Sequence, residues 1–239
     1  MAKLDFYSKE IANIQEQLIK KLDNLVVGLS QISDTELIQI GKQLDFFTEM
    51  DKLGYSTLIQ KVRSTYSNEI ADIYAALGPN LAKVSMSNMN AVKELIEFEL
   101  TFLTGNAVNY SNQLKTAMLR GIITGESNAQ IISNLNTGFG VGTFISSSES
   151  SFLINDAFAT FSNAARAKAY EEFPDTTFKY VGPKPSVDDK VRPACRAVFK
   201  AVSERGPLTI KEINSLRINK FEGFARRGGY NCRHDWIKA

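Results

Sequence analysis

Both cysteines, the only histidine and the only tryptophan of this chain fall between Cys195 and Trp236. Two short stretches hold them. The first reads Asp188-Asp189-Lys190-Val191-Arg192-Pro193-Ala194-Cys195, the second Arg226-Arg227-Gly228-Gly229-Tyr230-Asn231-Cys232-Arg233-His234-Asp235-Trp236. Thiolate, imidazole and carboxylate are the side chains that bind zinc. Cys232 and His234 are two positions apart, and in an extended segment such residues point to the same face. With Cys195 and a carboxylate from Asp188 or Asp189 they would make four ligands, a closed structural zinc site rather than a catalytic one. Two other states fit the same residues. A Cys195–Cys232 disulfide would close a long loop and staple a small subdomain. Two reduced cysteines would pack in a small core beside a hydrogen-bonded His234. A cysteine nucleophile with His234 as its base is a fourth arrangement. Against it, Cys232 and His234 share one short segment, no Gly-rich oxyanion loop accompanies them, and a single histidine excludes any mechanism that needs two. The sequence therefore reads as a protein that is not an enzyme.

Gly228-Gly229 marks a turn that needs positive φ or a close backbone approach. Tyr230 and Trp236 flank the Cys-x-His segment and are expected to pack over it.

The pattern Asp-x-x-x-Arg-Pro-x-Cys, followed near the C-terminus by Gly-Gly-Tyr-Asn-Cys-Arg-His-x-Trp, resembles the C-terminal domain of the Mu F-like minor head proteins of tailed phages. The resemblance runs through Asp188, Arg192, Pro193, Cys195, Gly228, Gly229, Asn231, Cys232, Arg233 and His234. The Lys211-Glu212-Ile213 stretch falls where that family often has a helix. Many relatives end in Cys-Arg-Cys, where this chain has Cys-Arg-His. The resemblance implies a virion protein in the head or at the portal vertex, present in few copies. It also implies work in head morphogenesis and genome delivery, with the portal protein, the major capsid protein and DNA as partners.

Charge divides the chain. Residues 1–175 carry 14 Lys and Arg against 20 Asp and Glu, a net −6. Residues 176–239 carry 14 against 6, a net +8. A basic compact segment is the electrostatic footprint for a polyanion, most simply the phosphates of double-stranded DNA. Arg192, Arg196, Arg226, Arg227 and Arg233 are the candidate phosphate contacts. No motif for reading base edges is present, so the expected binding is non-specific. No run of apolar residues is long enough for a membrane span, and the N-terminal stretch has no apolar signal core. The expectation is a protein made in the host cytoplasm.

The elements that must position these residues are mostly helices. Apolar residues from Leu4 to Leu29 recur at spacings of three and four, one stripe along a helix that would pack on others or on a second copy. Ser33 and Glu36 form a capping box at the start of a second helix, which Gly54 ends. A third covers Ser56 to Leu77 and stops at Gly78-Pro79. A fourth, Ser87 to Leu103, is apolar on more than one side through Leu95, Phe98 and Phe102, which suggests a central place. A fifth starts at Asn106 or Asn109 and ends at Gly125. Ser127 caps a short sixth that reaches Leu135. Gly138, Gly140 and Gly142 mark a connector, with Phe144 and Ile145 able to pin it. A long helix covers Glu149 to Phe173. Thr176 to Val181 alternates and is rich in β-formers, predicting a strand that pairs with 226–236. Short helices are expected at Arg192–Phe199 and Leu208–Leu216. The fold class is thus mainly α. An elongated bundle of about six helices occupies 1–135, a Gly/Ser-rich connector 136–148, and a linking helix 149–175. A small basic α+β domain follows at 176–239.

Overall fold

A computed structural model of the chain describes residues 5–29, 33–139, 147–229 and 232–239. Leu4, Gly140, Gly142, Phe144, Ile145, Tyr230 and Asn231 lie outside the described residues. The chain forms two compact units. One takes Ala2–Ser64 and Phe98–Ser151, the other Thr65–Glu97 and Phe152–Ala239. They interleave along the sequence instead of following one another, because three long helices each contribute to both.

Every regular element among the described residues of the first unit is a helix. It holds α1 (Asp5–Leu29), α2 (Asp34–Gln43), α3 (Phe46–Lys52), the first half of α4 (Tyr55–Leu77), the second part of α5 (Met86–Ile123) and α6 (Asn128–Phe139). The α1 stripe is as expected: Tyr7, Ile11, Ile14, Leu18 and Leu22 are buried, and the helix packs on α3 and α6. The Ser33–Glu36 capping box forms. The single helix expected from Ser33 to Gly54 is two. Leu44 is extended, and the Asp45 carboxylate accepts from the Thr48 N–H at 3.1 Å, capping a new helix. The break expected at Gly105-Asn106 is absent. Leu100, Leu103, Ala107, Tyr110, Leu114 and Met118 are all buried along one uninterrupted stripe, and that burial outweighs the cost of about 1 kcal/mol for a glycine inside a helix. The broad apolar surface of the expected fourth helix is not enclosed: Phe98 is 69% and Phe102 59% exposed. Helix α6 runs past Leu135 to Phe139, whose carbonyl accepts from the Tyr110 hydroxyl at 2.6 Å. Helix therefore takes the first residues of the expected connector.

The second unit carries the chemistry-bearing stretches. Its helical side is the end of α4, the start of α5, and α7 (Ser147–Ala169), where Phe158, Phe161, Ala165 and Ala169 are buried. Helix α7 ends short of the expected Phe173, and hydrogen-bonded turns lead from it to the sheet. The sheet has the order β2-β1-β3, all antiparallel, from β1 (Thr177–Val181), β2 (Leu208–Thr209) and β3 (Asp235–Lys238). In β1, Phe178 and Tyr180 are buried and Lys179 exposed, the period of two that the sequence predicts. Tyr180 stands opposite Trp236, and Phe178 opposite Leu208. Leu208 is an edge-strand residue, and the helix expected to start at Thr209 follows it. Thr209 caps helix α9 (Ile210–Ser215), and Glu212 in its first turn completes the capping box. A short helix, α10 (Gly223–Arg226), precedes the segment 226–236 expected to be turn plus strand, whose strand begins only at Asp235 and pairs with β1 as expected. Helix α8 (Pro193–Arg205) has proline in its first turn, as expected, and runs on to a stop at Gly206, φ 82°. Among the described residues, no helix is long and apolar enough to cross a membrane.

Candidate functional site

The start of α8 delivers Cys195, and the segment entering β3 delivers Cys232 and His234. All three side chains are buried. The two sulfurs are 3.8 Å apart, and Cys232 Sγ is 3.7 Å from His234 Nδ1. The three ligand atoms lie within 4.8 Å of one another. Both cysteines are free thiols, so the disulfide is not formed in this structure. The Pro183 carbonyl lies 2.9 Å from His234 Nε2. A carbonyl only accepts, so Nε2 carries a proton, and Nδ1 is the ring nitrogen that faces Cys232.

Tyr180, the inward residue of β1, completes the cluster. Its hydroxyl donates to Cys195 Sγ at 3.4 Å and lies 3.6 Å from Cys232 Sγ. Its ring stacks on His234 with centroids 5.1 Å apart. Burial pushes the Tyr180 hydroxyl well above the usual phenol range. Hydrogen bonding from the Cys195 thiol holds the Cys232 thiol below its ordinary value. The same thiol pair, with burial, pushes Cys195 up.

Two glycines close the site by close approach. A Cβ on Gly228 would meet Cys195 Sγ at 2.6 Å and Cys232 Sγ at 3.2 Å. A Cβ on Gly182, whose φ is +143°, would meet the His234 ring at 2.5 Å. Gly228 answers the expectation of a close backbone approach at Gly228-Gly229, and Gly229 supplies the positive φ.

Asp188 does not join the cluster. Its carboxylate accepts from the Lys190 N–H at 2.8 Å and from Arg233 Nη2 at 2.7 Å. These two donors hold it below the usual carboxylate range, the backbone bond first. The expected fourth ligand is thus an anchor between the two motif stretches.

The candidate phosphate-binding arginines divide. Arg227 is 2% exposed; it pairs with Asp156 on α7 and donates to the carbonyls of Cys232 and His234. Reaching a phosphate would break all of these, so Arg227 is a core residue. Arg196 is half-buried and donates to the carbonyls of Pro185, Asp188, Asp189 and Val191, holding the loop before α8. Arg192 donates to the Gly228 carbonyl and Arg233 pairs with Asp188, each keeping an exposed side. Arg226 is exposed and pairs with Glu222.

Sequence reasoning missed Tyr180, Gly182 and the polar core of this unit. In that core Glu69 is buried on α4, where it accepts from the Ser162 hydroxyl at 2.5 Å and from Arg166 Nη2 at 3.3 Å. Arg166 Nη1 also donates to Asp235 and to the Trp236 carbonyl, tying α7 to β3. The signals were present: Tyr180 shares the inward face of β1 with Phe178, and Glu69 occupies a stripe position between Tyr66 and Ile73.

No protein-family model, no curated protein and no solved structure matches this chain. The resemblance to phage minor head proteins rests on the motif residues alone.

Proposed function

We propose that this protein is a minor structural component of a tailed-phage head. In this reading it acts near the portal in head morphogenesis and in packaging or ejection of the genome, with no catalytic step of its own. One observation carries the reading. The residues that resemble the minor head family, Asp188, Arg192, Cys195, Gly228, Cys232, Arg233 and His234, interlock around a buried centre of Cys195, Cys232 and His234. Buried thiols packed this way are inert, and architecture is what a virion protein needs from such a motif. Non-specific contact with double-stranded DNA falls to the exposed basic side chains of 176–239, among them Lys179, Lys190, Arg192, Lys200, Lys211 and Arg226.

The test is quantitative mass spectrometry of purified particles from the producing culture, referenced to their most abundant protein. The reading expects this chain at a small fraction of that protein's copy number. Absence from complete particles overturns it. If the free protein then retains DNA at low salt and releases it as salt rises, a nucleic-acid adaptor outside the virion takes its place.

A further inference from the structure

We propose that Cys195 Sγ, Cys232 Sγ and His234 Nδ1 bind one zinc ion, with the Tyr180 hydroxyl at the fourth corner of the tetrahedron. The inference stands apart from the virion reading and uses only the geometry of the cluster.

Zinc holds sulfur at about 2.3 Å and nitrogen or oxygen at about 2.0 Å, so tetrahedral angles set S···S at about 3.8 Å and S···N and S···O at about 3.5 Å. The two sulfurs stand 3.8 Å apart, and Cys232 Sγ is 3.7 Å from Nδ1. The Tyr180 oxygen is 3.4 Å from one sulfur and 3.6 Å from the other. These four distances match four of the six edges of a zinc tetrahedron. The surroundings match as well. Pro183 fixes the tautomer that frees Nδ1, as outer partners of metal-bound histidines do. Gly228 and Gly182 give the space that side chains would fill against the sulfurs and the imidazole.

Charge balances without a further residue. On binding, each thiol gives its proton to solvent, two Zn–S bonds form, and two thiolates offset the charge of the ion. The imidazole and the phenol bind as neutral donors, and Tyr180 keeps its proton. The result is a buried site with no net charge, which explains how Asp188 can be spared for Arg233. All four positions belong to the protein, so the site is structural rather than catalytic.

The experiment uses the full chain kept reduced, loaded with zinc or cobalt(II) and dialysed against a weak chelator. The expected result is one ion per chain, retained through dialysis. The cobalt form should show thiolate-to-metal charge-transfer bands and the strong visible bands of a tetrahedral centre. Zinc should also protect both thiols from Ellman's reagent. Cys195→Ser and His234→Ala should lose the ion, whereas Tyr180→Phe should keep it with altered visible bands. The wild-type measurements decide the matter even if variants fail to fold. Reduced wild-type protein that retains no ion, and whose thiols react equally with and without zinc, overturns the proposal. So does retention of the ion with unchanged charge-transfer bands in a folded Cys195→Ser variant. A Tyr180→Phe spectrum identical to wild type removes Tyr180 from the fourth corner.

Discussion

Arg227 reaches from the C-terminal end of α10 to Asp156 on α7, with Nη2 3.2 Å from the carboxylate, while its Nη1 donates to the His234 carbonyl at 2.8 Å. One side chain thus fixes the segment that carries Cys232 and His234 to the helical side of its unit. Removing one member of a buried pair leaves the other charge uncompensated. Arg227→Met is expected to cost about 3 kcal/mol, read as a lower midpoint in urea denaturation followed by Trp236 fluorescence. Adding Asp156→Leu to Arg227→Met should recover part of the loss.

Glu69 is expected to behave as a second internal anchor. Glu69→Ala strands the Ser162 hydroxyl and removes one partner of Arg166, at a cost of about 2 kcal/mol. Glu69→Gln keeps an acceptor for Ser162 and should cost less. Thermal denaturation of the three proteins side by side checks the order.

The two close-packed glycines predict a local defect. Gly228→Ala presses a methyl group on the Cys195 sulfur and Gly182→Ala presses one on the His234 ring. Each is expected to cost about 1–3 kcal/mol by overpacking, and Gly182→Ala adds strain from its positive φ. In both variants Cys195 and Cys232 should react faster with Ellman's reagent. Gly206→Ala, with open space around it, should leave thiol reactivity as in the wild type.

Asp188 predicts the sign of a pH effect. Its carboxyl is held below the unfolded value, first by the Lys190 N–H and then by Arg233. Its contribution to stability is therefore fully present above the unfolded aspartate pKa and is lost as pH falls through the lower folded value. Carbon NMR of the Asp188 carboxyl should show titration below the ordinary aspartate range. Arg233→Ala should raise that value only part of the way, since the backbone hydrogen bond remains.

Much of this was legible in the sequence because periodicity and rarity are local signals. The α1 stripe, the Ser33–Glu36 box, the β1 alternation and the proline opening α8 each follow from residues a few positions apart. The gathering of Cys195, Cys232 and His234 was readable from their scarcity. What failed depended on distant partners. Gly105 and Asn106 look like a helix break until the buried stripe on both sides of them is known. Asp188 looks like a ligand until Arg233 is seen to take it, and Arg227 looks like a phosphate contact until Asp156 is found beside it. Charge type tells which side chains are able to bind an anion, but only the fold tells which are already bound.

The central claim is that the motif residues are architecture, one interlocked unit that holds β1, α8 and β3 together. Hydrogen–deuterium exchange on the full chain, wild type and His234→Ala, tests it most directly. The account predicts strong protection of amides in Thr177–Val181, Pro193–Arg205 and Asp235–Lys238 in the wild type. It also predicts a joint loss of that protection in the variant. Protection of all three elements left unchanged by His234→Ala would contradict it.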